Sequence, residues 1–454
     1  MTTYQPSATS HPSTSLGVAL SVPKGHQSPI VVVGGGIAGL VAAARVGRSG
    51  WPVVVLEKAS SFGGRAATQE RGGFLFNLGP HALYRSGILS QTLKDLGVEV
   101  HGRVPGANGG FALYRDRLHT LPIGLTSLLS TGLLSLSGKL EFARLQASLL
   151  RVDANAVQHV TLASWLDAHV HDERVRAAMR MLVRVTSFTN DPDRQSAGAA
   201  IEQLQLGIRG NVLYLDGGWQ TIVDGLRRVA IDAGARIIGG AHVVSLERSD
   251  HSQIDGVRLA DGRTVRAAAV IVTGAPADVA ALTEPTSPYE GLEPVRVATL
   301  DVALRSLPKP KCSVAFGVDT PLYFSVHSMS ARLAPEGGAL IHVSKYLQPG
   351  AASNGTEQEL EALLDRLQPG WREQLAFRQY LPNMIVNNAE LTAARGGAAG
   401  RPSPHVPGLD NVFAAGDWVG PRGQLADASA ASATDAAGLA VAAAMRSVTE
   451  AVAS

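Results

Sequence analysis

A β-branched run, Val31-Val32-Val33, leads directly into Gly34-Gly35-Gly36-Ile37-Ala38-Gly39 and then into an alanine-rich stretch, Val41 to Val46. A second apolar run, Val53-Val54-Val55-Leu56, follows and ends on Glu57. Nothing else in the chain restricts its fold so tightly. The order reads as strand, glycine turn, helix and second strand, the unit that a dinucleotide site requires. Gly34 permits the tight turn, Gly36 lets the backbone approach a pyrophosphate, and Gly39 allows the helix to pack closely on the strand. Ile37 and Ala38 open the helix, whose free N–H groups and positive dipole end suit phosphates. Glu57, with Lys58 beside it, stands where an acid accepts hydrogen bonds from an adenosine ribose; the same acid would repel a 2′-phosphate.

The continuation is foreign to nicotinamide dehydrogenases. Gly63-Gly64-Arg65-Ala66-Ala67-Thr68 follows Glu57-Lys58-Ala59-Ser60-Ser61-Phe62, and Phe76-Asn77-Leu78-Gly79-Pro80-His81 comes after it. Near the other end, Asn411-Val412-Phe413-Ala414-Ala415-Gly416-Asp417-Trp418 reads as a short strand ending in Gly-Asp, and an alanine-rich helix starts near Leu425. Together these runs resemble the flavin amine oxidase, protoporphyrinogen oxidase and phytoene desaturase superfamily. In pattern they are closest to phytoene-desaturase-like oxidoreductases. The resemblance implies noncovalent FAD and an α/β fold: a Rossmann-type FAD-binding domain of the glutathione-reductase-related kind, with a discontinuous α+β substrate domain. It places Gly63, Gly64 and Arg65 at the flavin diphosphate, Gly79, Pro80 and His81 beside the ring, Val243 at the adenine side and Asp417 at the ribityl chain. Gly274, Gly416 and Leu425 join the cofactor contacts, with the helix start facing the pyrimidine edge of the ring.

The segments imply an FAD domain built from residues 29–105, 210–290 and 395–454, and a substrate domain from 106–209 and 291–394. Residues 1–28, rich in Ser, Thr, Pro and Gly, read as disordered. The patch Leu16 to Val22 is broken by Gly17 and Ser21 and does not read as a secretory signal. Phe111 to Gly207 reads as mostly helical. Strands are expected at Arg236-Ile237-Ile238, Val243 to Glu247, Gly256 to Leu259, Ala268 to Gly274, Val295 to Leu304, Tyr323 to His327 and Ala339 to Tyr346. Helices are expected over Thr221 to Ala233 and Thr356 to Leu367.

Composition removes several classes. A net charge of +2 gives no electrostatic ground for nucleic acid. The lone Cys312 excludes an internal disulfide and multi-cysteine metal sites, and reads as a buried side chain rather than a flavin tether. The 13 histidines have no metal-ligand spacing, so no metal is expected. No run of uninterrupted apolar residues is long enough for a membrane span, and the cytoplasm is the expected compartment.

His81 is the leading catalytic candidate: it can bond the flavin, act as a base or orient substrate, although its backbone alone could make the contact while the ring fills space. Tyr323, Ser325 and His327 share one face of their strand by the period of two, as do His342, Ser344 and Tyr346 on the next. Tyr323, His327 and His342 are therefore candidates for a substrate pocket; a solvated sheet face is the alternative. Lys345 lacks the surroundings of the amine oxidase lysine and reads as a surface residue. Trp418 is the only aromatic residue from Gly416 to Ser429, and one ring is not an amine cage.

Leu121 to Leu136 is leucine-rich, with a basic-flanked helix after it (Lys139 to Arg151). It reads either as a core helix pair or as an entry for lipophilic substrates with peripheral membrane contact. The resemblance implies hydride transfer from a hydrophobic small molecule, with oxygen or a quinone reoxidising the flavin. Amine oxidase, protoporphyrinogen-oxidase-like and isomerase activities stay open, as does a flavin-binding partner protein without turnover. Substrate, acceptor and oligomeric state are not legible.

Overall fold

The computed structural model describes residues 27–106, 109–283, 289–351 and 354–453. The Leu16 to Val22 patch, and nearly all of the segment expected to be disordered, lie outside them. Five strands form a wholly parallel sheet in the order Arg236–Gly239, Val53–Glu57, Ile30–Val33, Ala269–Val272 and Val412–Ala414. The three central strands are continuous buried apolar runs, as a parallel sheet covered on both faces demands, while the edge strand Arg236–Gly239 is only partly buried. One face carries the helices Ile37–Arg48, Gln220–Asp232 and Leu425–Ala453. The other carries a three-stranded antiparallel sheet, Val243–Arg248, Ile254–Leu259 and Thr264–Arg266. The C-terminal helix has the length and apolar composition to cross a membrane, but its alanine face is buried against Ile37–Arg48 in this core.

Register decides where the site lies. Val33 pairs with both Leu56 and Val272, and Val272 pairs with Ala414. The Gly34 turn, Glu57, Gly274 and Gly416 therefore leave the sheet at one carboxyl edge, the edge at which open α/β sheets bind ligands. Gly39 fits the helix onto this edge: a Cβ there would stand 1.9 Å from the Gly34 carbonyl oxygen.

The second sheet has seven strands in the order Leu375–Asn387, Val295–Leu304, Ala339–Tyr346, Leu322–Val326, Val314–Gly317, Gly110–Tyr114 and Arg117–Thr120. Only the Val314–Gly317/Gly110–Tyr114 pairing is parallel. The helix Thr356–Leu367 and Trp371 cover one face. Leu136–Leu149, Leu162–His169, Glu173–Ser187 and Ala197–Gly210 pack with one another as a helical layer.

Two segments differ from the sequence reading. The stretch expected to be helical from Phe111 opens instead with the hairpin Gly110–Tyr114/Arg117–Thr120. Its turn residues Arg115 and Asp116 have φ of 45° and 57°. Turns with two positive φ values ordinarily announce themselves through Asn-Gly or Asp-Gly, which is missing here. The thirteen-residue strand Leu375–Asn387, not among the strands expected above, contains Pro382 at a point where its register against Val295–Leu304 shifts, between the Leu381 and Met384 pairings. It lies at the sheet edge, where the missing N–H of proline is tolerated.

Replacing Gly39 tests the packing. Gly39→Ala forces the helix from the Gly34 turn, and overpacking of this kind costs about 1–3 kcal/mol. The variant is expected to melt earlier than the parent in thermal unfolding followed by circular dichroism and to purify with less flavin; an unchanged melting temperature would refute the close-contact role.

Candidate flavin and active site

A single cavity of about 980 Å³ opens at the carboxyl edge of the parallel sheet. At one end it is walled by the glycine turn, Ile37, Ala38, Glu57 and Lys58, with Val243 and Gly274 opposite. Gly34 adopts φ +107°, and a Cβ there would meet the Thr273 hydroxyl at 2.5 Å. A Cβ on Gly36 would meet nothing nearer than the Gly63 carbonyl at 3.8 Å, so this residue leaves the cavity open where a phosphate has to approach. The Glu57 carboxylate accepts from the Gly35 N–H at 2.6 Å and the Ala59 N–H at 2.8 Å. Each oxygen keeps a further lone pair for ribose hydroxyls.

In the middle of the cavity Arg65 meets Asp417. The guanidinium donates to the carboxylate at 2.6 Å and to the Val386 carbonyl at 2.9 Å. Asp417 is buried and accepts two more bonds, from the N–H and the side-chain amide of Asn388. Arg401 donates to its backbone carbonyl. Leu425 begins the C-terminal helix at the cavity wall, fixed by the bond from the Gln424 amide to the Ala199 carbonyl. In the first turn of this helix, Asp427 accepts from the Leu89 N–H at 2.8 Å, and burial pushes its carboxyl up to about 6.

The far end is a mostly apolar chamber bounded by Leu83, Tyr84, Phe188, Met384 and Val386, with His81 on its wall. His81 is fixed by carbonyl oxygens on both sides, Gly79 at 3.0 Å from Nδ1 and Arg65 at 3.1 Å from Nε2, and packs edge-on against Trp219. Burial lowers its pKa below the ordinary histidine value.

Of the residues assigned to the cofactor from sequence, Gly34, Gly36, Ile37, Ala38, Glu57, Lys58, Gly63, Gly64, Arg65, Pro80, His81, Val243, Gly274, Gly416, Asp417 and Leu425 line this cavity. Gly39 and Gly79 stand just behind its wall, Gly39 under the glycine turn and Gly79 with its N–H on Asp301.

The substrate-pocket candidates lie elsewhere. Tyr323, His327 and His342 are buried and do not line the cavity, and the sheet face they share is not solvated either. They belong to a sealed polar layer behind the Gly79–His81 turn. Tyr323 bonds His327 at 3.1 Å and Tyr214 at 3.3 Å, while His342 bonds Asp301 at 2.7 Å. Burial holds His327 well below the histidine range. Polar side chains on alternate positions signal a shared face; what covers that face is set by residues distant in the chain.

Lys345 is bound to Glu359 at 2.6 Å and does not line the cavity. Trp418 is buried, with its indole N–H on the Gly274 carbonyl. Cys312 is buried in the core against the substrate sheet, where burial pushes its thiol up to about 11. Sequence reasoning missed Asn388, Asp427, Phe188 and Asp301. Only Asp301 carried a signal, as a charge within the apolar run Val295–Leu304.

The sequence profile described as flavin containing amine oxidoreductase matches residues 37–305. A zeta-carotene-forming phytoene desaturase of Myxococcus xanthus is 28% identical over 279 residues, covering 53% of this chain and 52% of its own; the chain thus spans about half the length of that curated relative. A coproporphyrinogen III oxidase of Propionibacterium freudenreichii subsp. freudenreichii is 24% identical over 450 residues, covering 82% of this chain and 84% of its own. Among solved structures, an oxidoreductase from Methanosarcina mazei has the same fold, with a TM-score of 0.70 at 20% identity over 90% of this chain and 99% of its own.

Two substitutions test the cavity contacts. Glu57→Ala and Asp417→Ala each remove a charged hydrogen-bonding group, worth about 1.5–3 kcal/mol, or roughly ten- to more than a hundredfold in cofactor Kd. Reconstitution titrations should show this weakening, and wild-type affinity in both variants would remove these positions from the site.

Proposed function

The chain belongs to the flavin containing amine oxidoreductase family, and from that membership together with the apolar chamber we infer that it dehydrogenates a hydrophobic small molecule of polyene or terpenoid type. It is an FAD-dependent oxidoreductase. The observation that carries the substrate reading is the continuity of one cavity from the nucleotide end to a chamber walled by Leu83, Tyr84, Phe188, Met384 and Val386. Such a surface gains by excluding water from an apolar ligand and offers little to a charged one. The amine reading loses support, because Trp418 is buried outside the cavity and Lys345 is held by Glu359. A porphyrinogen substrate is the second reading, favoured by the near-full-length match to the coproporphyrinogen oxidase.

FAD, when bound, would supply the two-electron acceptor for a hydride from a substrate C–H bond. The protein's part is placement. The amides at the start of Ile37–Arg48 would hold the diphosphate, Glu57 the ribose, and Asp417 with Arg65 the ribityl segment. The start of the C-terminal helix offers positive potential where negative charge arrives on reduction. Phe188 and Met384 would hold an apolar substrate against the cofactor and exclude water, and the His81 ring, both nitrogens of which face backbone carbonyls, forms part of the chamber wall.

Access is proposed from a membrane surface. Leu125, Leu129 and Leu136 are 74%, 65% and 86% exposed on neighbouring helices, with Leu140 also exposed beside Lys139. The opposite sides of these helices, including Leu128, Phe142 and Leu145, are core, so the segment is at once core and exposed face. Anaerobic addition of polyenes, porphyrinogens and amines to the holoprotein should bleach the flavin with polyenes. Bleaching by amines alone would overturn the reading, and no bleaching by any class would favour a protein without turnover. Leu125→Asp/Leu136→Asp should reduce flotation with anionic liposomes at least several-fold; equal flotation would remove the membrane step.

A further inference from the structure

The two ring nitrogens of His81 each face a backbone carbonyl oxygen, Gly79 at 3.0 Å and Arg65 at 3.1 Å. Carbonyls only accept, and a neutral imidazole has one N–H. One of the two contacts is therefore unsatisfied unless the ring carries a second proton. His342 presents the opposite inventory. Its Nδ1 meets the Asp301 carboxylate at 2.7 Å, while its Nε2 is buried without a partner. A bare lone pair there costs less than a buried N–H with no acceptor, so the geometry suits a neutral ring with its proton on Nδ1.

Asp301 completes the set. It is fully buried in the strand Val295–Leu304 and accepts from His342, from the Thr299 hydroxyl at 3.0 Å and from the Gly79 N–H at 3.3 Å. Three donors suit an ionised carboxylate. With His342 neutral, that charge has no counter-ion in its own layer, and Gly79 connects it directly to the turn that carries His81.

We propose that His81 is the proton store of the flavin reaction, taking up a proton as negative charge arrives in the cavity, with Asp301 as its buried counter-ion. The proposal rests on the dehydrogenase reading and deepens it. Removing two hydrogens from adjacent carbons breaks two C–H bonds and forms one C=C bond. One hydrogen leaves as hydride and reduces the flavin; the other leaves as a proton, which water in the cavity carries to the ring nitrogen of His81 that lacks a hydrogen, since both nitrogens face carbonyls and neither faces the chamber. A quinone acceptor then takes two electrons and one proton from the reduced flavin and the second proton from His81, which returns to neutral.

Before reduction, burial and any charge on His342 disfavour the imidazolium, while the two carbonyls and Asp301 favour it. The other ionisable groups around the ring are accounted for. His342 and His327 lie behind it, the Arg65 guanidinium is engaged by Asp417, and Asp427 faces the cavity from the C-terminal helix. Asp301 is a positioning residue here, since it acts through the Gly79 turn and touches neither cofactor nor substrate.

The test needs no substrate, so its failure is separable from failure of the substrate assignment. Holoprotein with a verified flavin spectrum is photoreduced between pH 7 and 8, and proton uptake is read with an indicator dye. The wild type is expected to bind two protons per two electrons, and His81→Gln and Asp301→Asn one. In potentiometry the same difference appears as a midpoint slope of about 60 mV per pH unit falling to about 30, each proton of a two-electron couple contributing about 30 mV. One proton in the wild type, a measurement that requires no variant, would overturn the proposal. So would two protons in His81→Gln.

Discussion

The carboxylate of Asp417 is the joint on which the cavity is assembled. It gathers Arg65 from the N-terminal third of the chain, Asn388 from the end of the substrate sheet and, through its backbone carbonyl, Arg401. A buried carboxylate is tolerated only when donors surround it, so these separate segments are not free to settle elsewhere. The same arginine reaches the Val386 carbonyl and thereby fixes the apolar chamber at a set distance from the nucleotide turn. Much of the site geometry follows from satisfying this one group.

What could be read from the sequence divides along a physical line. The glycine turn, Glu57, Gly63-Gly64-Arg65 and Gly416-Asp417 are local: each does its work through the backbone shape of a few consecutive residues, and each lies at or next to the cavity. The parallel strands were equally legible because burial on both faces demands an unbroken apolar run. The chamber wall was not. Phe188 ends a helix, Met384 and Val386 sit in an edge strand interrupted by proline, and Tyr84 belongs to a two-residue strand; none carries a periodic signal. Arg115 and Asp116 conceal a hairpin for the same reason, since they adopt a conformation their residue types seldom take.

The polar layer of the substrate sheet shows a different limit. Alternation placed Tyr323 and His327 on one face and His342 on the face of its neighbour, and cross-strand register does bring Ser325 opposite His342 and Asp301 opposite His342. Alternation is silent on what lies above a face. Here it is the Gly79 turn, more than two hundred residues away in the chain. Desolvating this many polar groups in the centre of a sheet is costly unless each finds a partner, and nearly all do. Nε2 of His342 is one exception, and the side-chain nitrogen of Gln379, which pairs with Asp301 across the sheet, is another.

The edge strand Leu375–Asn387 ties the far end of the substrate sheet to the cavity. It starts beside Leu304 and finishes one residue before Asn388, whose side chain must meet Asp417. Its register against Val295–Leu304 shifts three times, and at each shift it carries a residue that its neighbour does not match. Bulges of this kind absorb a change of length, so the fixed points of the strand are its anchors and not its residue count. Among relatives that keep this site, Asn388 and its carboxylate are expected to stay together while the bulges move along the strand.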